Sequence, residues 1–476
     1  MKRKEGKAGQ RSVPGGVRMI AAHAKTAVRG RRGSTAVFLV MILSALLLLT
    51  GTLIRAAGLA AGKSYGDLVF RMAGRSLLSE YDRKLYADYG LFAMRSDAEQ
   101  AARKLAHYSN ASLKESGRAG AVWLLPCEVR DLRVYLNDFS LLDADTFEDQ
   151  ILDDIKFIMV NNSADRLRSG GDSEAASVTG TTESRTIHNQ TILNGLPSGG
   201  LGGGPSVPSM LAAGLPSAAE LFGGGTDAIL VSEYIMARFA HAYEPVPNLA
   251  AGHTRFFQNE AEYIIIGAPD DAENLKGVEN RLRLLRFALN EVCVHSDKTL
   301  QLQVDGIVAA LCASFPTVPA PIIRELVYAA WVTIETENDL KLLRAGRKVA
   351  LVKNSDNWAV DVKEIPKIIS AYFAIRVPEN APPPDIKDTS GSASLSLGTV
   401  CPRSGDGFSY GDYLRLFLFF TSRENKLLRS MDLIQINMKT GYYEAFLIRE
   451  HYTGLRCELV MNGDRYSYRQ SYSEEG

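Results

Sequence analysis

Twenty-one consecutive residues, Ser34 to Ile54, carry no charge and read STAVFLVMILSALLLLTGTLI. As an α-helix the run spans roughly 31 Å at 1.5 Å per residue, about the thickness of a bilayer's hydrocarbon core. A buried core helix is the alternative, but 21 uncharged residues exceed the usual length of one. The run therefore predicts a membrane span, bracketed by Arg32 and Arg55. Residues 1–32 carry ten Lys and Arg against one acid, Glu5, which leaves 44 basic and 53 acidic groups, a net −9, on the other 444 residues. The positive-inside rule places the basic stub in the cytoplasm and everything after Arg55 outside.

A cleaved signal peptide has an apolar region of about 7–15 residues, so this longer run is expected to stay as an anchor. The small residues Ala56 to Gly62 offer one possible cleavage site. A second processing site is Gly33-Ser34, after Arg31-Arg32, which has the layout of prepilin-type cleavage before an apolar helix. Pilins place Glu at the fifth position after that cut, and here the position holds Phe38.

The chain has 476 residues, 46% of them hydrophobic, enough for two or three domains with buried cores. Its 54 basic and 54 acidic groups cancel, which argues against a dedicated nucleic-acid binder. The five cysteines (Cys127, Cys293, Cys312, Cys401, Cys457) are scattered, with no C-x-x-C pair. They lack the spacing of a zinc site or a disulfide framework and read mostly as small buried hydrophobes.

Past Arg55 the helical pattern continues to about residue 80, as a stalk, and Gly90 is a helix stop. Asp97 to Lys114 reads as a helix, Cys127 to Leu136 as a strand, and Asp145-Thr-Phe-Glu148 as a capping box opening another helix. Residues 164–225 hold 13 of the 41 glycines with Pro197, Pro205, Pro208 and Pro216, the composition of a flexible insert. Ile229 to Tyr243 reads as helix and Ala261 to Ile266 as a strand ended by Gly267. Leu275, Val278, Leu282, Leu285, Leu289 and Val292 recur at steps of three and four, with Leu284 and Phe287 widening the apolar stripe. Helices follow at 298–312, 321–345, Tyr410 to Phe420 and Lys426 to Ile436, the last two after a Pro-rich break. The tail segments Tyr443 to Arg449, Leu455 to Asn462 and Arg465 to Tyr472 alternate and read as β-hairpins.

These readings make the chain α+β. An N-terminal transmembrane helix continues as a stalk, then a mostly helical extracytoplasmic domain carries a small antiparallel sheet that includes the C-terminal hairpins. The expected segments are 1–33 (basic, cytoplasmic), 34–54 (span), 55–163 (stalk and first ectodomain part), 164–225 (insert), 226–377 (helical core), 378–405 (linker) and 406–476 (helices and hairpins).

Four patterns invite a chemical reading. Gly407-Phe-Ser409-Tyr-Gly411 matches the G-x-S-x-G nucleophile elbow, which needs a buried strand before it and a His after it. The only later histidine is His451, and Ser409 with Asp412 also reads as a helix cap. Asp388-Thr-Ser390-Gly-Ser392 matches a D-x-S-x-S metal motif but follows a proline-rich linker instead of a strand. Gly58 to Ser64 resembles a phosphate loop one residue short and lies on a helix; Gly58 and Gly62 read as a close-packing face. The acids Asp143, Asp145, Glu148, Asp149, Asp153 and Asp154 read as a solvated helix start. No catalytic residue, cofactor, metal or small-molecule substrate is indicated.

The start, Arg32-Gly33-Ser34-Thr35-Ala36-Val37 leading into the apolar helix, is similar to TadE/TadG-like proteins of tight-adherence (Tad/Flp) pilus systems. The longer pattern resembles a Firmicutes family of unknown function found near tight-adherence pilus genes. Its blocks are Glu80-Tyr81-Asp82 to Tyr89-Gly90-Leu91-Phe92; Glu262-Tyr263-Ile264 with Gly267; and Asn274-Leu275, Arg281-Leu282, Leu285-Arg286 and Ala288-Leu289-Asn290. They continue with Ala330-Trp331, Asp339-Leu340, Leu343, Gly346 to Val349, Trp358, Tyr410, Asp412 to Arg415 and Met431 to Ile434. The resemblance implies a non-enzymatic single-pass surface protein whose partners are the membrane and other pilus or secretion components. An independent adhesin or sensor module, and a membrane-tethered serine hydrolase using Ser409, are the alternatives.

Overall fold

The computed structural model describes residues 20–115, 129–169, 195–199, 226–243, 255–366, 407–461 and 463–472. Helix α1, Ile20–Leu78, is unbroken over 59 residues, roughly 88 Å at 1.5 Å per residue. Every residue from Thr35 to Ala57 is exposed, and α1 is long and apolar enough to cross a membrane. The chain then divides into two compact units.

The first unit comprises residues up to Gly74, Arg103–Arg133 and Glu458–Tyr468. Here α1 buries Gly62, Gly66, Val69, Phe70 and Ala73, which recur at three and four and so share one face. Phe70 packs on Leu459 and Met461, flanked by Val129, Leu132, Tyr466 and Tyr468. The Tyr468 hydroxyl donates to Asp67 at 2.5 Å, and Tyr65 donates to the Ser112 carbonyl at 3.2 Å on α3, Ala98–Glu115.

The second unit comprises Arg75–Ala102, Val134–Cys457 and Arg469–Gly476. Helix α2, Arg83–Tyr89, starts at Asp82, whose carboxylate accepts from the Lys84 and Leu85 amides, and stops at Gly90 with φ +71°. The remaining α-helices among the described residues are α4 (Ala144–Ser169), α5 (Thr226–Arg238), α6 (Glu260–Ile266), α7 (Asp271–Ser296), α8 (Lys298–Ser314), α9 (Ala320–Arg344), α10 (Tyr410–Phe420) and α11 (Arg423–Gly441). Among the described residues, two apolar clusters fill this unit. One gathers α2, α4, α5, α6, α10 and α11 around Tyr89, Phe147, Tyr234, Phe239, Phe417 and Met431. The other lies among α7, α8 and α9 around Trp331, Val304, Val327 and Trp358.

Strand β1 (Met94–Arg95) pairs antiparallel with β3 (His451–Tyr452), Met94 opposite Tyr452. Strands β2 (Val129–Tyr135), β4 (Gly454–Met461) and β5 (Asp464–Ser471) form a sheet in the order β2-β4-β5. Gly463, at φ +97°, makes the β4–β5 turn. The protein is thus mostly helical with small antiparallel sheets, as the patterning predicts.

Several local expectations are corrected. Residues 261–266 are helical, not a strand. An apolar run this short has no decisive period, and here Gly267 (φ +82°) closes a helix whose Tyr263 carbonyl takes the Gly267 amide at 2.7 Å. Tyr443 to Arg449 forms no strand, because its amides turn inward: Phe446 donates to the Tyr443 carbonyl, Ile448 to Gln435 Oε1 and Glu450 to the Leu447 carbonyl. The cap of α4 is Asp143, which accepts from the Thr146 amide at 3.0 Å, two residues before the expected box. Leu284 and Val292 stay 57% and 68% exposed, outside the core stripe of α7.

The Gly/Ser/Pro-rich stretch also contributes to the core. Helix α4 runs on to Ser169, and within 195–199 Leu196 and Ser198 are buried. The Ser198 amide donates to Asp432 at 3.0 Å, and Gln435 donates to the Gly195 carbonyl. The rest of the insert (170–194 and 200–225) and the 378–405 linker, with Asp388 to Ser392, lie outside the described residues.

Gly90 is where the chain is most tightly constrained. Its φ is left-handed, and a Cβ there would collide with the Asp154 carboxylate. That carboxylate holds Arg238 through a two-pronged pair, Nε to Oδ2 at 2.9 Å and Nη2 to Oδ1 at 2.6 Å. Gly90→Ala is expected to cost about 1–3 kcal/mol. Gly306→Ala, inside α8 with open space around it, should stabilise by roughly 0.5–1 kcal/mol. Urea midpoints of the two variants moving in the same direction would contradict this.

Candidate functional site

Polar side chains on core-facing positions make the most distinctive chemistry of the second unit. On α7, Arg286 follows Leu285, precedes Asn290 by one turn and is fully buried. On α9, Trp331, Glu335 and Asp339 recur every four residues on one buried face. The Arg286 guanidinium donates through Nε and Nη2 to Asp339 Oδ2 at 3.0 and 2.8 Å. Its Nη1 reaches the Ala350 and Leu351 carbonyls at 2.9 Å each and the Tyr413 hydroxyl at 3.1 Å. Asn290 donates to Asp339 Oδ2 at 3.0 Å and to the Thr336 hydroxyl. Burial opposes the charge of Arg286, but Tyr413 and Asp339 outweigh it and hold the guanidinium above its ordinary range.

Lys353 enters the same cluster from the segment after α9. Its Nζ lies 2.5 Å from Asp339 Oδ1 and also meets Glu335 Oε1. Glu335 is pinned by the Ala359 amide at 3.1 Å and the Val360 amide at 2.8 Å. Trp358 lies over the Lys353 ammonium, Trp331 Nε1 donates to the Val360 carbonyl at 2.8 Å, and Cys293 Sγ donates to the Lys353 carbonyl.

A second polar knot surrounds α6. Glu260 accepts from the Ala240 amide at 2.8 Å and from Asn437 at 2.6 Å. Glu262 Oε1 accepts from the Ala242 amide at 3.0 Å and the Tyr410 hydroxyl at 2.8 Å, while its buried Oε2 has no hydrogen-bond partner. Arg429 on α11 donates to the Ile264 and Ile265 carbonyls at the end of α6. Its Cζ would lie 2.6 Å from a Cβ on Gly267, so only glycine admits it. Tyr263 donates to Asp432 at 2.9 Å.

These groups hydrogen-bond one another and the backbone within the fold and tie helices together. Among the described residues, no group of three His, Cys, Asp or Glu could hold a metal ion. A groove on the first unit is lined by Asp131, Arg133, Glu458, Arg465 and Tyr466, with acids and arginines in balance.

Ser409, the candidate nucleophile, is the N-cap of α10. Its Oγ accepts from the Asp412 amide at 3.3 Å, and its own amide donates to Asp412 Oδ2 at 2.9 Å, a complete capping box. His451 is engaged elsewhere: Nδ1 lies 2.9 Å from the Leu447 carbonyl and Nε2 3.8 Å from Asp82. Gly33 and Ser34 lie within the continuous helix α1, as do Gly58 to Ser64, so the latter have no strand before them. Of the acids opening α4, Asp143, Asp145, Asp149 and Asp153 are exposed as expected, Glu148 is half-buried and only Asp154 is buried. Asp154 pairs with half-buried Arg238, while Asp145 and Glu148 both hold Arg423. Cys293 and Cys457 are buried and unbridged, and burial lifts the Cys293 thiol to about 11.

Sequence reasoning passed over Glu335, Lys353, Arg429 and Asn437. The available signal was periodic: Trp331, Glu335 and Asp339 share the apolar face of a helix, where an acid requires a buried partner.

Residues 204–463, more than half of the chain, match a family of unknown function (DUF5702). No curated protein and no solved structure matches the chain.

Two predictions follow from this chemistry. Burial lifts the Glu262 carboxyl from its ordinary 4.5 to about 7, against the lowering effect of the Ala242 amide and Tyr410. The folded protein therefore keeps a proton that the unfolded chain releases between about pH 4.5 and 7. This contribution is complete below that window and is lost as pH rises through it, with a slope of up to about 1 kcal/mol per pH unit. Glu262→Gln keeps the acceptor and removes the charge, so denaturation series at pH 5 and 8 should show a flatter dependence than wild type; equal slopes would exclude Glu262 as the source. For the cap, Ser409→Ala should cost about 0.5–2 kcal/mol and Ser409→Asp almost nothing. Labelling by a fluorophosphonate probe that Ser409→Ala abolishes would instead mark a nucleophile.

Proposed function

The chain belongs to the DUF5702 family of unknown function, and from its architecture we propose that it is a non-enzymatic, single-pass membrane protein serving as an accessory or minor-pilin-like component of a tight-adherence pilus or a related secretion apparatus. The observation that carries this reading is α1. It is one continuous helix whose exposed apolar half matches a bilayer and whose other half runs on to Leu78. The ten basic residues of 1–32, ahead of the apolar run, favour a cytoplasmic N-terminus, which makes the body extracytoplasmic and the part of α1 beyond the run a stalk.

The pilus assignment rests on the TadE/TadG-like start and the order of the blocks that follow it. Many of those blocks fall on residues that hold the ionic core: Glu262, Arg286, Asn290, Asp339, Tyr410, Tyr413 and Asp432. The resemblance thus concerns a scaffold. The reading as a scaffold without catalysis is supported by Ser409, whose hydroxyl is accounted for by its cap.

One pair of experiments tests the proposal. An introduced cysteine within 1–32 should resist a membrane-impermeant thiol reagent in intact cells, while one within 200–225 should react. Deleting the gene should reduce assembled pilus. The reverse labelling pattern would refute the topology. Correct labelling with unchanged pilus yield would refute the pilus role and leave an adhesin or sensor module.

A further inference from the structure

We propose that Lys353 and Asp339 become joined by an intramolecular amide bond, formed autocatalytically with Glu335 as proton relay. The inference stands on the core of the second unit alone and is independent of the membrane reading.

Three conditions for such a bond meet here. The first is proximity in a dry site. Lys353 Nζ lies 2.5 Å from Asp339 Oδ1 and also contacts Glu335, with the three side chains only 3%, 0% and 0% exposed. Trp358 lies over the amine at 5.9 Å from the ring centre. Water, which competes as a nucleophile and stabilises the ionised reactants, is thereby kept out. Holding amine and acid at this separation also supplies a large effective concentration.

The second condition is a polarised acceptor. Asp339 Oδ2 takes three donors, Arg286 Nε at 3.0 Å, Arg286 Nη2 at 2.8 Å and Asn290 Nδ2 at 3.0 Å. They are aimed at the oxygen on which negative charge grows when Cγ is attacked, as in an oxyanion hole. Oδ1, the oxygen that must leave, faces the lysine. Glu335 has no comparable cation, because its other donors are the Ala359 and Val360 amides. This difference selects Asp339 as the acceptor and leaves Glu335 as the relay.

The third condition is a closed proton balance. The Lys353 ammonium passes one proton to Glu335 and becomes a neutral amine. The Nζ lone pair forms a bond to Asp339 Cγ, and the electron pair of the C–O bond moves onto Oδ2 beside Arg286 and Asn290. Glu335 returns its proton to Oδ1, and the new ammonium nitrogen gives a second. Collapse reforms the carbonyl and expels Oδ1 as water. Lysine ammonium plus aspartate carboxylate thus give one amide and one water, Glu335 is regenerated as carboxylate, and no oxidant or cofactor is consumed. The product replaces the Lys353–Asp339 ion pair by a neutral amide that fastens α9 to the segment carrying Lys353; Arg286 keeps the amide carbonyl, the Ala350 and Leu351 carbonyls and the Tyr413 hydroxyl as acceptors, and Glu335 is the carboxylate that remains.

Mass spectrometry of the reduced, denatured full-length protein tests this. The wild type should be lighter than its sequence by one water. Trypsin cuts at Lys341, Arg344, Arg347 and Lys348 between the two residues, so unlinked peptides would separate. A branched peptide joining Lys353 to Asp339 is the expected result, and Lys353→Arg and Glu335→Gln should recover the full mass and lose it. A wild type at full mass, or a branch to Glu335 in place of Asp339, would overturn the assignment. Glu335→Gln that is still one water lighter would overturn the relay. The wild-type branched peptide is decisive even if either variant folds poorly.

Discussion

The Arg286 guanidinium is the interaction on which the second unit depends. A planar group with five N–H donors can satisfy several elements at once, and here it reaches α7, α9, the 350–351 backbone and α10. No lysine could replace this fork. A buried charge is tolerable only when its partners are complete, and removing one partner of such a pair typically costs about 3–5 kcal/mol. Asp339 is correspondingly saturated, with Arg286 and Asn290 on one oxygen and Lys353 on the other. The geometry that stabilises the core is the same geometry that brings a lysine amine against a carboxylate, so structural and chemical roles share their residues.

Around α6 the same logic works through backbone groups. Chain ends that would be left without partners in the interior are met by side chains from elsewhere: Glu260 and Glu262 accept from the Ala240 and Ala242 amides, and Arg429 covers the Ile264 and Ile265 carbonyls. Seven residues are too few to hold a helix on their own. These long-range bonds are what make Glu260–Ile266 helical, and Gly267 is required where the guanidinium approaches.

That dependence explains which elements could be read along the chain. The helices α7, α8 and α9 carry long, periodic apolar faces, the first two with local caps at Asp270 and Asp297, and their boundaries lie close to the expected ones. The α10 cap at Ser409 and Asp412 was visible because capping is a local interaction spanning three residues. Residues 261–266 and 443–449 read as strands because both apolar patterns are short; helix is decided for 261–266 by distant partners such as Arg429, and strand is excluded for 443–449 by local turns together with Gln435. Leu196 and Ser198 were misread because a loop composition says nothing about five residues anchored by Asp432 and Gln435.

The sequence by itself determined that one uncharged segment dominates the N-terminus, that the body is mainly helical, and where most helices lie. These depend on composition, period and caps, all of which are set within about twenty residues. Only the tertiary structure decided what the polar residues of those helices do. Glu335, Asp339 and Arg286 acquire their partners only when α7 and α9 are packed together. Burial then makes each charge depend on a partner 53 residues away, in the case of Arg286 and Asp339, a separation no local pattern encodes.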